Sequence, residues 1–192
     1  MKEKITHGGV DVRHSPLRRR FLGLTIAAAA SLAMPPAFAN LGHLKERRLS
    51  FHNLHTGERV STVYWSQGHY VEDGLAEINH VLRDFRTDQV IEMDPQLMDL
   101  LHQLRATVGV TKKPFEIISG YRSPDTNAML RSKSSGVAKR SLHMEGKAAD
   151  IRIPGLELGH LRQAALSLKA GGVGYYPKSG FVHVDTGRVR SW

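Results

Sequence analysis

The chain has 192 residues, with 27 Lys and Arg against 18 Asp and Glu, a formal net charge of +9 and no cysteine. Lack of cysteine excludes disulfides, thiolate nucleophiles and thiolate zinc sites, so any metal must be held by His, Asp or Glu. The basic balance suits contact with anionic polymers, but the cations are scattered, as in Lys45, Arg47, Arg48 and Lys112, Lys113, without the interleaved aromatics of a nucleic-acid stripe.

Residues 1–39 have the three-part build of an export signal: basic, then apolar, then small. Arg18 and Arg19 precede Arg20, Phe21 and Leu22, a pattern that resembles a twin-arginine signal. The apolar run from Phe21 to Met34 is too short for a bilayer core of about 30 Å at about 1.5 Å per residue. Ala37-Phe38-Ala39 offers a small-x-small cleavage site. The segment carries six Lys and Arg against Glu3 and Asp11, so four of the nine formal charges lie in it. Cleavage after Ala39 leaves residues 40–192 with a charge of about +5, a normal size for one domain with a real core. The expected product is a periplasmic protein with no stable membrane span.

Leu49 to Trp65 contains two apolar-alternating runs around His55-Thr56-Gly57-Glu58 and predicts a β-hairpin, with His52 and His55 as solvated strand or turn residues. Leu75, Ile78, Leu82 and Phe85 share one helical face, and Leu97, Leu100, Leu101, Leu104 and Val108 share another. Two amphipathic helices are expected there, with His80 and His102 as surface or packing residues. Phe115 to Ser119 predicts a buried strand, and Ser123 caps a helix that starts at Pro124 and runs through Arg131. Ser132 to Ser141 is polar, basic and contains Gly136, the composition of a mobile surface loop. Ala148 to Ile153 predicts a strand, Leu156 to Leu168 a helix, and Val173 to Tyr176 and Phe181 to Asp185 two strands joined by a turn over Pro177 to Gly180. The fold class is α+β, with helices flanking a small, largely antiparallel sheet.

Side chains alternate across a strand, so His183 and Asp185 share one face of Phe181–Asp185 while Val182 and Val184 share the other. By the same rule Asp150 and Arg152 oppose Ala149, Ile151 and Ile153. Burying such polar groups without partners costs a few kcal/mol each, so partners are required. Two imidazoles, one carboxylate and an open fourth position make a recurrent hydrolytic zinc site, and His143, Asp150 and His183 supply that set. Such a donor set leaves net positive charge on the metal, enough to acidify a water and polarise a carbonyl. Gly146 lets the chain turn between His143 and the strand that bears Asp150. On these residues alone, an ion-paired His and Asp at a strand end is the competing reading.

The order Ser141-x-His143-x-x-Gly146-x-Ala148-x-Asp150, followed by His183-x-Asp185, resembles the zinc peptidases of the D-alanyl-D-alanine carboxypeptidase and endopeptidase type, the M15 clan. Within that clan the chain is most similar to the exported murein endopeptidase K group. The similarity runs through the HTGE hairpin, ISGYRSPDTNAMLR, SLHMEGKAADIR, LKAGGVGYYP and FVHVDTGRVRSW. The resemblance implies a hedgehog/DD-peptidase-like zinc peptidase domain over residues 40–192, with His143, Asp150 and His183 as zinc ligands. It implies Arg122 as a cation near the site that steadies the oxyanion or the substrate; from the residues alone, a structural pair with Asp125 is the alternative. Many relatives place an acid or histidine two or three residues before the last ligand, whereas this chain has Phe181 and Gly180 there, and neither takes a proton. Asp185 is then either the general base or a partner that orients a ligand histidine. Glu145, near His143, is a further candidate base or an ordinary solvated glutamate. The function implied is zinc-dependent cleavage of cross-links between peptidoglycan stem peptides in cell-wall remodelling. Terminal trimming by a carboxypeptidase of the same fold and a non-catalytic cell-wall binding module are the alternatives, and no nucleic-acid partner is expected.

Overall fold

Two strands pair antiparallel around the HTGE turn, β1 (Glu46–Asn53) and β2 (Arg59–Ser66), in the computed structural model, which describes residues 46–134 and 136–192. The expected export signal lies outside the described residues. Asn53 closes the turn by accepting the backbone N–H of His55 and Thr56 on its side chain, and Gly57 supplies the positive φ of +76°.

Six further strands extend the sheet: β3 (His69–Tyr70), β4 (Phe115–Ser119), β5 (Ala148–Arg152), β6 (Gly172–Tyr176), β7 (Phe181–Asp185) and β8 (Arg190–Ser191). The spatial order is β3-β2-β1-β4-β5-β7-β6-β8. The sheet is therefore eight-stranded and mixed rather than small and antiparallel, because β1 pairs parallel with β4 and β6 pairs parallel with β8. The β1–β4 pairing follows from the long helical crossover between the hairpin and β4, which lets the chain return in the same direction. Strands β3 and β8 have two residues each, too few to show an alternation in sequence.

Among the described residues four α-helices pack with the sheet: α1 (Glu72–Val81), α2 (Pro95–Thr107), α3 (Pro124–Lys133) and α4 (Leu158–Leu168). Asp94 caps α2 by accepting the Gln96 N–H, and Ser123 caps α3 by accepting the Thr126 N–H, each with proline in the first turn. The first helix stops short of Phe85, whose ring instead stacks on His55 at a centroid distance of 3.9 Å. His55 stays exposed in the turn, as the sequence predicts, with Nε2 3.0 Å from the Ile118 carbonyl.

The alternation of the strands divides the sheet. Phe51, Phe115, Ile117, Ile151, Val182 and Val184 join Ile78 of α1, Leu97, Leu101 and Leu104 of α2 and Leu161 of α4 in one buried cluster. Each such side chain contributes roughly 1.5–3 kcal/mol by leaving water, so this face anchors the sheet rigidly. Asp150 and His183 leave their strands on the opposite face and stand directly across from each other in the β5–β7 register. Among the described residues no helix is long and apolar enough to cross a membrane.

Candidate metal centre

His143 sits in a single 3-10 turn, Leu142–Glu145, that ends at Gly146 with φ +68°. A Cβ at Gly146 would lie 2.8 Å from the Glu92 carbonyl, so the turn requires glycine both for its φ and for this close approach. The Lys147 N–H donates to the Leu142 carbonyl, and the Arg122 N–H donates to the His143 carbonyl. The histidine loop is thereby tied to the strand that follows it and to the loop that follows β4.

Three donor atoms converge from these elements. His143 Nε2 lies 3.2 Å from Asp150 Oδ1 and 3.2 Å from His183 Nδ1, and His183 Nδ1 lies 2.9 Å from Asp150 Oδ1. All three residues are buried. The outer nitrogens are already engaged: His143 Nδ1 is 2.7 Å from the Gly120 carbonyl and His183 Nε2 is 2.9 Å from Asp185 Oδ2. Both partners only accept, so each ring carries its proton on the outer nitrogen and turns a lone pair inward in its neutral form. Two lone pairs and a carboxylate oxygen then face one point. An ion with bonds of about 2.0–2.2 Å to tetrahedral ligands sets ligand atoms about 3.4 Å apart, close to the observed triangle. The residues therefore fit a small divalent cation with nitrogen and oxygen ligands.

The three groups differ in their protonation: His143 is held towards its neutral form and Asp150 towards its ionised form, whereas His183 leans to its charged form. Burial pushes the His143 imidazole below its ordinary pKa against the pull of Asp150, which favours the neutral ring. Burial acts to raise the Asp150 carboxyl, but the facing His143 and His183 outweigh it and keep the group ionised. Burial likewise opposes the charged form of His183, and its hydrogen bonds to Asp150 and Asp185 win, so its pKa lies above the ordinary value.

Arg122 is held beside the triad. Its Nη2 donates to Asp150 Oδ2 at 2.6 Å and its Nε to Ser119 Oγ at 2.9 Å. The backbone around it is pinned by Tyr121 N–H to the Leu82 carbonyl and by Ser123 N–H to Asp84. The carboxylate paired with Arg122 is thus Asp150 rather than Asp125.

Asp185 is fully buried behind His183. Its Oδ1 accepts from the N–H groups of Gly172 and Gly187 and from Arg190 Nη1; its Oδ2 accepts from His183 Nε2 and Arg190 Nη2. Burial would raise this carboxyl, yet the hydrogen bonds from His183 and Arg190 keep it well below the usual range. A carboxylate with five donors on two oxygens, facing away from the inward lone pairs, is placed to orient His183. Of the two roles open to Asp185, this geometry favours the orienting one. Glu145 pairs with Lys147 at 2.9 Å on the surface, the ordinary solvated arrangement.

The triad opens into a cavity of about 330 Å³. One wall is aromatic: Tyr176 stacks on Phe181 at 4.6 Å, and Trp192 donates its indole N–H to the Tyr176 hydroxyl at 2.7 Å while its ring lies 5.2 Å from that of His183. Gly174 makes room for the indole, since a Cβ there would sit 2.8 Å from it. The other wall comes from the loop before His143, including Val137, Arg140 and Ser141. Among the described residues, Asp150 is the one carboxylate that lines the cavity. Sequence reasoning missed Arg190, Trp192 and Arg140 as site residues, because two lie in or beside a two-residue strand and the third lies in a loop without periodicity. Three other histidines have structural partners: His52 lies 3.9 Å from Glu116, His80 lies 3.5 Å from Glu58, and His102 meets Tyr64 edge-on.

Residues 42–192 match the family described as peptidoglycan L,D-endopeptidase MepK, of the M15 peptidases. The chain is 47% identical over 176 residues to the peptidoglycan L,D-endopeptidase MepK of Escherichia coli (strain K12), covering 91% of this chain and 96% of that protein. The Shigella flexneri protein of the same name is equally similar. The probable peptidoglycan L,D-endopeptidase MepK of Haemophilus influenzae is 43% identical, covering 91% of this chain and 95% of its own. With the match running from before β1 to the last residue and through every element of the metal centre, the chain belongs to the MepK family of M15 peptidases.

Proposed function

We propose that the protein is a zinc-dependent endopeptidase that hydrolyses L,D cross-links between peptidoglycan stem peptides outside the cytoplasmic membrane. The observation that carries the reading is the convergence of His143 Nε2, Asp150 Oδ1 and His183 Nδ1, with both outer imidazole nitrogens occupied by acceptors. The names of the relatives supply the substrate class and the bond type. The expected twin-arginine signal over residues 1–39 agrees with periplasmic action.

Zinc held by two neutral imidazoles and one carboxylate supplies Lewis-acid polarisation of a carbonyl and lowers the pKa of a water towards about 7. The chain's own residues prepare that chemistry. The Gly120 carbonyl and Asp185 fix the ring orientations and tautomers of His143 and His183. Arg122 holds the outer oxygen of Asp150 and so leaves Oδ1 turned towards the histidines. The same guanidinium lines the cavity and places positive charge where a carbonyl oxygen gains negative charge during attack. Tyr176, Phe181 and Trp192 form an apolar wall that limits water on one side of the cavity.

The test is digestion of purified cross-linked muropeptides. Monomeric muropeptides are the expected product, activity is lost to a chelator, and zinc restores it. A chelated sample as active as the untreated one overturns the metal assignment. Release of single amino acids instead assigns terminal trimming, and binding without fragments assigns a non-catalytic module.

A further inference from the structure

Three arginines line the cavity, and two are committed. Arg122 is bound to Asp150 and Ser119, and Arg190 is bound to Asp185 through both terminal nitrogens. Arg140 lines the same cavity from the loop before His143 and is exposed. Within the described residues no carboxylate pairs with its guanidinium, and the lone cavity carboxylate, Asp150, is already shared among His143, His183 and Arg122. Among the described residues the cavity thus holds one uncompensated cation together with the His143, Asp150 and His183 triad. An uncompensated guanidinium in a partly enclosed site is a receptor for an anion, and its planar fork matches a carboxylate in two parallel hydrogen bonds.

The substrate class defines which carboxylate can reach it. In an L,D cross-link between two diaminopimelates, the scissile nitrogen sits on the D centre of one residue, and that same carbon bears a free carboxylate. This anion is two bonds from the scissile nitrogen. When the amide carbonyl is at the triad, the carboxylate must lie in the same cavity of about 330 Å³. We propose that Arg140 is a specificity-determining residue that binds the free carboxylate next to the scissile nitrogen. The inference rests on the cross-link reading under Proposed function. It makes the enzyme selective for acidic over amidated cross-links through charge rather than through shape.

The test measures binding apart from cleavage. Calorimetric titration of the zinc-loaded protein uses the tripeptide L-alanyl-D-isoglutamyl-diaminopimelate, with the D-centre carboxylate either free or amidated. The wild type is expected to bind the free acid about tenfold more tightly, the scale of one charge-assisted hydrogen-bonded contact. Arg140→Ala loses that preference and leaves the affinity for the amide unchanged, while Arg140→Lys keeps part of it because the charge remains. Among the described residues Arg140 has no side-chain partner, so the substitutions leave the protein intact. Equal affinity of the wild type for the two forms, no measurable binding of either, or a preference that persists in Arg140→Ala overturns the inference. Cleavage of cross-linked muropeptides by the same wild-type sample reports separately on the hydrolytic function.

Discussion

Replacing Asp185 by Asn changes one oxygen to an amino group and leaves the shape intact, yet it separates the two roles open to this residue. Five donors converge on the two carboxylate oxygens: three on Oδ1 and two on Oδ2. Asparagine offers one acceptor oxygen and one NH2 group. If its oxygen stays with Gly172, Gly187 and Arg190, the NH2 faces His183 Nε2 and moves the ring proton to Nδ1, the atom that faces the metal position. If it turns round, the NH2 faces two backbone N–H groups and a guanidinium, and each unsatisfied buried donor costs about 1–3 kcal/mol. Both outcomes weaken the ligand. Loss of an outer partner of a ligating histidine costs about 10–100-fold in metal affinity, which is about 1.4–2.7 kcal/mol. Competition against a chromophoric zinc chelator measures it, with turnover recorded in parallel at saturating zinc. The expected result is weaker zinc binding with turnover that largely recovers when zinc is in excess. Zinc affinity within about twofold of wild type, with turnover down by the 10²–10⁴-fold typical of a lost proton acceptor, would refute the orienting role and restore Asp185 as the base.

His143→Ala removes an inward ligand from a short turn rather than a core side chain, so the far-UV circular dichroism is expected to stay native while tight zinc binding and muropeptide cleavage are lost. A variant that still binds zinc tightly removes His143 from the ligand set. Gly120→Ala presses a Cβ into the Leu82 carbonyl, beside the carbonyl that accepts from His143. Overpacking of about 1–3 kcal/mol lowers Tm by roughly 3–10 °C for a domain of this size, and zinc affinity falls with it; an unchanged melting curve contradicts the close approach. Asp84 is buried, and although burial raises its carboxyl, hydrogen bonds from Thr126, Ser123 and Arg86 bring it down to about 2. A depressed carboxylate stabilises the fold above its unfolded value and loses that stabilisation as pH falls through the folded value. The window is therefore about pH 4 to about pH 2, and nearly two units correspond to about 2–3 kcal/mol. Thermal melts across that range are expected to show a flatter acid limb in Asp84→Asn; parallel limbs would exclude Asp84 as the source.

Much of the fold is local and was therefore readable. The β1–β2 hairpin has its own turn chemistry, α2 and α3 carry proline and capping residues at their starts, and β7 alternates from Val182 to Asp185 between valines and polar groups. Helix α1 ends before Phe85, whose ring stacks on His55, a contact between residues 30 apart in sequence. The parallel pairing of β1 with β4 and of β6 with β8 is also non-local: it depends on where a long connection brings the chain back, and no alternation pattern records it.

The metal centre divides in the same way. Residue types and strand alternation made His143, Asp150 and His183 a candidate set beside an ordinary ion pair, and the family resemblance implied them as ligands. The outer contacts were decided only by the tertiary structure, since each joins segments that packing alone brings together. Arg122 meets Asp150 rather than the nearby Asp125 because β4 and β5 are neighbours, so a carboxylate 28 residues away is closer to its guanidinium than one three residues along the chain. Asp185 lies behind His183, as strand geometry requires, but its surroundings come from Gly172 on the adjacent strand and Arg190 on the following segment, which donate to both of its oxygens beside the bond to His183.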